Sequence, residues 1–217
     1  MEELAFLLAA TASIFVTVDP IGTLPFFIAL TDGFDKEDKR IILTRASLTT
    51  GITLSIFLVA GNFLFATFGF TLFAMEISGG VLLFLIAYGM LNGEVGKKIP
   101  NADREDAIRR RDELAIAPLG IPLLAGPGAI ATVMVYEGNT NGDVVDLVGL
   151  FVAILAVTIS TWAILFYGQR IFRYLGRVGV TAIIRVMGLL LGAVAVQFIL
   201  NGILGAAHAA VSAGLLP

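Results

Sequence analysis

The chain has 217 residues, of which 58% are hydrophobic and only 14% are charged. Soluble domains carry about 25% charged residues, so this composition excludes an ordinary soluble domain, and we expect no nucleic-acid partner. With no cysteine and a single histidine, His208, the sequence offers no cluster of metal ligands, and we expect no cofactor. The formal net charge of -3 is informative only through its distribution along the chain.

Six apolar stretches are long enough to cross a membrane as α-helices. The predicted spans are residues 4–30, 41–68, 75–91, 114–136, 147–167 and 183–204. The residues before the first span are acidic, which is not typical of a cleaved signal peptide, so we expect this span to be retained. Because no linker or shift in composition marks a soluble domain, residues 1–217 are predicted to form a single transmembrane domain.

The first span is interrupted at its centre by the sequence VDPIGTLPF, residues 18–26. Proline removes a backbone donor and clashes with the preceding turn, and glycine permits backbone angles that other residues resist. We therefore expect this helix to be broken near residues 19–22. The fourth span contains a second such stretch, IPLLAGPGAI at residues 121–130, and is expected to be broken near residues 126–128. Interrupted segments in matching positions of two halves are typical of a transporter's binding site.

The basic residues are distributed on one side of the predicted spans. All 14 Lys and Arg residues lie in or beside the loops that follow spans one, three and five. If the spans alternate in direction, the positive-inside rule places these loops in the cytoplasm and both termini outside. We therefore predict a multi-pass protein of the cell (cytoplasmic) membrane. The most charged of these loops, residues 92–113, mixes acids with bases, so we interpret it as solvated rather than as a lipid-headgroup or partner site.

Similarity between the two halves of the chain predicts an internal repeat. Identical residues recur at offsets of 107 and 109 positions, close to half the chain length. The repeat mates include Pro20 and Pro127, Gly61 and Gly168, and the tripeptide Leu-Asn-Gly at 91–93 and at 200–202. Three spans in each half is an odd number, so the second half would enter the membrane in the opposite direction. The predicted fold is therefore an all-α integral membrane protein of two inverted three-helix repeats, about 1–92 and 114–204, with chance similarity as the alternative.

Gly188 and Gly192 form a pair of small residues of the kind that lets membrane helices approach closely. Such pairs are expected in a chain with 24 glycines. Packing within one protomer is the favoured interpretation, and a homo-oligomer interface is the alternative.

The stretches VDPIGTLPF at 18–26 and IPLLAGPGAI at 121–130 closely resemble the two signature stretches of the MarC/SnatA family of small integral membrane proteins. The resemblance covers essentially the whole chain, including the number and orientation of the spans. For members that resemble the SnatA branch, it implies a secondary transporter of small neutral amino acids such as glycine, alanine and serine. It also implies coupling to protons, and sodium is kept as an alternative coupling ion.

A break in a membrane helix exposes the first amides of the following half-helix, and these donors suit an anionic group. Inversion of the repeat would bring the two breaks together at mid-membrane. We therefore place a small zwitterionic substrate between them. The predicted substrate-binding residues are Thr17, Asp19, Pro20, Gly22 and Thr23 from the first break, and Ala125, Gly126, Gly128 and Ala129 from the second.

Asp19 has two interpretations. It is either an N-cap that accepts a hydrogen bond from the Gly22 amide, or a group that binds the proton or the substrate ammonium. The sequence offers no second carboxylate, histidine or cysteine at mid-membrane, so we expect no enzymatic activity. An exporter or permease for other small solutes is the alternative to an amino acid transporter.

Overall fold

The structure is a computed structural model, and it describes residues 2–93, 104–140, 142–169, 176–212 and 214. The secondary structure of these residues is helical throughout, with no strand among them. The helices are α1 (Glu2–Val18), α2 (Pro20–Leu30), α3 (Lys36–Phe68), α4 (Leu72–Leu91), α5 (Arg104–Leu114), α6 (Pro127–Asn139), α7 (Val144–Gly168) and α8 (Gly176–Ser212). Between α5 and α6, Ala115–Leu124 forms an irregular helical segment that we call the proline segment.

Five helical stretches within the described residues are long and apolar enough to cross a membrane. A sixth crossing results if Ile108–Leu124 and α6, which are bent by 59° relative to each other, form one span. The prediction of an all-α, multi-pass membrane protein is therefore confirmed. The count of six and the inverted repeat stay predictions.

Capping residues set the ends of the long helices. The Asp35 carboxylate accepts a hydrogen bond from the Asp38 amide at 2.8 Å at the start of α3, and Gly69 ends this helix with φ 67°. Thr71 and Asp143 cap α4 and α7 in the same way. Such caps satisfy amides that would otherwise lack a partner. Because the caps decide where a helix starts, α3 and α4 begin before positions 41 and 75, where hydropathy predicted them to begin.

The predicted solvated loop at 92–113 is helical in its second half. Residues 94–103 lie outside the described part of the chain, but α5 begins at Arg104. The Arg and Glu residues of α5 have high intrinsic helix propensity, which a hydropathy pattern does not reveal. Ion pairs between Arg45 and Asp112, and between Arg111 and Asp38, tie α5 to the start of α3. We call this side of the bundle the basic end, after its described cations Lys36, Lys39, Arg40, Arg45, Arg109, Arg110, Arg111 and Arg185.

The proline segment is distorted at two positions that the sequence analysis did not predict. Ala117 has φ -131° and ψ 123°, and Ile121 has φ -136° and ψ 128°, both outside the helical region. Each residue directly precedes a proline, whose ring excludes the helical conformation at the position before it. The break expected near residues 126–128 is confirmed, and it begins one residue earlier than expected. The proline segment ends at Leu124, and α6 begins at Pro127.

Helices α4 and α8 form an antiparallel pair whose contact is made by glycines. A Cβ atom at Gly80 would lie 2.6 Å from the Ala195 carbonyl oxygen, and one at Gly202 would lie 2.6 Å from the Phe73 carbonyl oxygen. At Gly188 it would lie 3.0 Å from a neighbouring side chain of α4. The glycines therefore let two backbones approach closely within one chain. This confirms the interpretation of Gly188 as a packing residue of the protomer.

Two long helices accompany the two interrupted stretches along their length. Helix α3 contacts α5, then the proline segment and then α6, in the order of increasing residue number along α3. Helix α3 and this stretch therefore run parallel. The successive contacts are Asp38 with Arg111, Thr49 with Gly120, and Asn62 with Glu137. In the same way α7 runs parallel to α1 and α2, with Gly149 beside Leu7 and Gly168 beside Leu24. Each interrupted stretch is thus supported by one continuous helix.

Candidate functional site

The first break is a single residue, Asp19, whose backbone lies in the left-handed region at φ 46° and ψ 62°. Among the described residues it is the one non-glycine with a positive φ. Aspartate tolerates this region because its short side chain can hydrogen-bond locally, and here Oδ1 accepts from the Gly22 amide at 2.9 Å. Pro20 fills the first helical position of α2, where no amide is needed. The predicted break and the predicted N-cap bond are both present.

Glycine is required three residues after Asp19. A Cβ atom at Gly22 would overlap the Asp19 carboxylate, so a larger residue would displace the cap. Of the predicted residues at this break, Thr17 and Asp19 are exposed, whereas Pro20 and Thr23 are buried. The Thr17 hydroxyl donates to the Ser13 carbonyl oxygen at 3.0 Å and keeps its lone pairs for a ligand. The exposed groups at the first break are therefore a carboxylate and a hydroxyl.

The second break has no such cap. Gly126 occupies the N-cap position of α6 and has no side chain to accept a hydrogen bond, and Pro127 follows it. The first helical bond is donated by the Ile130 amide to the Gly126 carbonyl oxygen at 3.0 Å. The amides of Gly128 and Ala129, which directly precede Ile130, have no acceptor from the cap. This arrangement is an open helix start.

Gly128 is the exposed member of the second set. No heavy atom lies within 4 Å of the position a Cβ would take at Gly128, so this residue borders open space. Ala125, Gly126 and Ala129 are buried. The start of α6 is thus exposed at Gly128, while the residues on either side of Gly128 are buried.

The buried side of the second break packs against α4 and α8. A Cβ atom at Gly79 would lie 3.6 Å from Pro127 Cγ, and one at Gly126 would lie 3.8 Å from the Phe198 ring. Neither Gly79 nor Phe198 was predicted as part of the site. Gly79 gave no distinct signal among 24 glycines, and Phe198 gave none among 16 phenylalanines. Their positions follow from tertiary packing, which spacing in one chain does not reveal.

The two breaks lie in neighbouring stretches of the bundle. α1 packs against α6, where the Ser13 and Tyr136 hydroxyls are 3.0 Å apart, and α2 packs against the proline segment. Helices α1 and α6 pack together on one side of the breaks, and α2 and the proline segment pack together on the other. The two breaks therefore lie at a similar depth in the bundle. Within the described residues no hydrogen bond joins the two predicted sets, and no group of three or more Asp, Glu or His side chains could hold a metal ion.

A bundle of apolar helices long enough to cross a bilayer, with a helix break at Asp19, defines a multi-pass integral membrane protein. A model of the MarC family of integral membrane proteins matches residues 4–207. The chain therefore belongs to the MarC family, which confirms the resemblance seen in the two interrupted stretches.

Relatives from distant organisms align over nearly their full lengths. A UPF0056 membrane protein of Aquifex aeolicus is 39% identical over 204 residues, which cover 94% of this chain and 95% of that protein. The UPF0056 membrane protein YhcE of Escherichia coli is 33% identical over 88% of this chain and 89% of its own length. YvbG of Bacillus subtilis is 32% identical over 93% of this chain and 95% of its own. No solved structure gives a significant match.

Proposed function

We propose that this protein is a secondary transporter of small neutral amino acids of the glycine, alanine and serine class, coupled to protons and working by alternating access. The substrate class comes from the resemblance to the SnatA branch. The observation that carries the proposal is the chemical difference between the two breaks. The start of α2 is capped by the Asp19 carboxylate, whereas the start of α6 has no cap.

The open start of α6 suits the substrate carboxylate. The exposed amide of Gly128 is a donor at the positive end of a helix dipole, which favours a negative group, and the amide of the buried Ala129 contributes to that dipole. The space beside Gly128 admits a small ligand, and a side chain there would occupy it. The start of α2 offers less to an anion, because Asp19 already accepts from the Gly22 amide. The substrate carboxylate is therefore assigned to the second break.

The Asp19 carboxylate suits the substrate ammonium or a proton. Its Oδ1 atom is held by the Gly22 amide, so the side chain is fixed while Oδ2 remains for a ligand. The Thr17 oxygen, on the preceding turn, is a second acceptor for an ammonium group. A zwitterion placed between the breaks would thus meet donors on one side and acceptors on the other. One carboxylate without a histidine suits binding rather than catalysis.

The contacts also support six spans. A stretch that turned back into the same side of the membrane would run antiparallel to α3 in one of its halves. Instead α5, the proline segment and α6 follow α3 in order, from the Asp38–Arg111 ion pair to the Asn62–Glu137 hydrogen bond at 3.0 Å. We therefore treat them as one bent crossing.

The inverted repeat is supported by equivalent contacts of repeat mates. Gly61 of α3 packs on Met134 of α6, and its mate Gly168 of α7 packs on Leu24 of α2. A pseudo-two-fold axis that exchanges α3 with α7 would also exchange α1 and α2 with the proline segment and α6. In the proposal this axis passes between the two breaks, and the one-sided distribution of Lys and Arg places both termini outside.

Uptake into liposomes tests the function. Purified protein is reconstituted, and a panel of labelled amino acids is supplied with an imposed proton gradient, an imposed sodium gradient or neither. We expect glycine, alanine and serine to accumulate above leucine, glutamate and arginine, and a proton gradient to drive the accumulation. Empty liposomes are the control. Uptake of none of the panel under any gradient would favour the alternative of an exporter or permease for other small solutes.

A further inference from the structure

A groove of about 530 Å³ runs along the outside of the bundle between α3 and α7, away from both breaks. Its floor is formed where the two helices approach closely, because a Cβ atom at Gly51 would lie 2.6 Å from Thr158 Oγ1. Its walls are large exposed side chains, Leu48, Ile52, Ile56 and Val59 from α3, and Phe151 and Leu155 from α7.

The groove offers no free hydrogen-bond donor to an occupant. Its two hydroxyl groups are used inside their own helices, since Ser55 donates to the Gly51 carbonyl oxygen at 2.7 Å and Thr158 donates to the Ile154 carbonyl oxygen at 2.8 Å. The remaining lining residues are apolar. A polar solute would lose its hydrogen bonds to water there and find only two hydroxyl oxygens as acceptors, whereas a hydrocarbon chain would lose nothing.

Aromatic and cationic side chains lie beyond the groove, toward the basic end. Trp162, one turn beyond Thr158, donates from Nε1 to Thr44 Oγ1 at 3.0 Å and so bridges α7 to α3. Its ring stacks on Phe166 at 5.0 Å between centroids, and the Arg40 guanidinium lies 6.0 Å from the Phe166 centroid. Tryptophan at this place is typical of the membrane–water interface. In the described part of the chain, the Arg40 guanidinium makes no ion pair within 4 Å.

The length of the groove matches one leaflet of a bilayer. From Leu48 to Ala60 the groove follows α3 for about 18 Å at 1.5 Å per residue, against about 15 Å for half of a hydrocarbon core. Arg40 lies a further eight residues, or roughly 12 Å, beyond Leu48. The order along the surface is thus cation, aromatic pair and apolar groove.

We infer that this groove binds one phospholipid with an anionic headgroup. An acyl chain lies between α3 and α7, the glycerol region rests against Trp162 and Phe166, and the phosphate faces Arg40. The order of cation, aromatic pair and apolar groove matches the order of phosphate, glycerol and acyl chain in a phospholipid. A contact with a second copy of the chain would not require this order. A lipid with a net negative headgroup is attracted electrostatically to the Arg40 guanidinium, whereas a zwitterionic lipid has no net charge to be attracted.

Native mass spectrometry of the purified full-length protein tests this inference. The protein is incubated with equal amounts of palmitoyl-oleoyl phosphatidylglycerol and phosphatidylcholine, which differ in headgroup charge and share their chains. We expect the phosphatidylglycerol adduct to be favoured by about fivefold, the effect of one cation near a membrane surface. Arg40→Gln should remove this preference. Arg185→Gln, at an exposed arginine of α8, is the matched control and should keep it.

A second pair of variants tests the chain site. Ser55→Phe fills the groove and should abolish both lipid adducts, whereas Ser160→Phe, at a serine of α7 outside the groove, should leave them. Ile56→Trp fills the groove from its exposed wall and replaces Ser55→Phe if that variant does not fold. Equal adducts in the unaltered protein, or a preference that survives Arg40→Gln, would overturn the inference. Lipid adducts that are unchanged when the groove is filled would also overturn the inference. A dimer that is lost when the groove is filled would overturn it as well, because it would assign the groove to a second copy of the chain.

Discussion

Asp19 combines two energetic costs at one position. A left-handed backbone costs a non-glycine residue roughly 1–2 kcal/mol, and a carboxylate at the centre of a membrane helix costs about 2.5–3.5 kcal/mol on insertion scales. An N-cap alone does not require the second cost, because asparagine and serine cap a helix about as well as aspartate. Aspartate rather than asparagine at this position therefore agrees with the proposed role in binding the substrate ammonium or the proton.

Replacement of Asp19 by asparagine separates these roles. Asparagine also caps helices and tolerates the left-handed region, so Asp19→Asn should fold with an unchanged melting temperature. We expect its proton-driven uptake of glycine into liposomes to fall at least tenfold. Asp143→Asn changes an exposed N-cap at the start of α7 and is the control, with uptake unchanged. Normal uptake that still follows the proton gradient in Asp19→Asn would show that this carboxylate has no coupling role.

The open helix start at Gly128 is tested by adding a side chain. Gly128→Val should abolish glycine binding measured by calorimetry, because its methyl groups would occupy the space beside the α6 amides. The variant should fold, since nothing lies within 4 Å of the new Cβ and valine is a better helix former than glycine. Gly138→Val lies on the same helix beside equally open space and should bind glycine normally. Unchanged affinity in Gly128→Val would place the substrate elsewhere.

At the scale of elements, the two breaks could be predicted from the sequence because proline and glycine act on their own backbone. The distortions at Ala117 and Ile121 obey an equally local rule, since each residue precedes a proline, but the sequence analysis predicted only the break at the Gly-Pro-Gly sequence that follows. Helix α5 was not predicted, because hydropathy does not distinguish a charged helix from a solvated loop. The support of the second break by Gly79 and Phe198 depends on α4 and α8, and no local pattern encodes such contacts.

Close packing of α4 on α8 gives a stability prediction. Gly80→Ala would place its Cβ 2.6 Å from the Ala195 carbonyl oxygen, so the helices must separate. We expect a loss of about 1–3 kcal/mol, the usual cost of overpacking, seen as a lower melting temperature in detergent. At Gly192 the same Cβ would meet Ala87 at an ordinary 3.7 Å, so Gly192→Ala should be neutral or slightly stabilising. Equal melting temperatures of the two variants would mean that this interface is looser than the structure indicates.

At the scale of the whole molecule, the sequence predicted helices and their order more reliably than their arrangement. The described basic residues lie at one end of the bundle, where Arg111 and Asp38 join α5 to α3 at 3.2 Å. The groove between α3 and α7 was not predicted, since it arises from the shape of two helices in contact. Orientation in the membrane depends on the charges alone and is open to a direct test.

The absence of native cysteine makes that test simple. Asn139→Cys places a thiol at the end of α6, and Asp106→Cys places one on α5, on opposite sides of the membrane if the bent stretch crosses it. A membrane-impermeant maleimide added to intact cells should label position 139 and not 106, and both should react after permeabilisation. Labelling of 106 alone would invert the orientation. Labelling of both positions, or of neither, would place both on the same side of the membrane and make the bent stretch a re-entrant hairpin. We do not expect that result, because the bent stretch follows α3 in order from the Asp38 contact to the Asn62 contact.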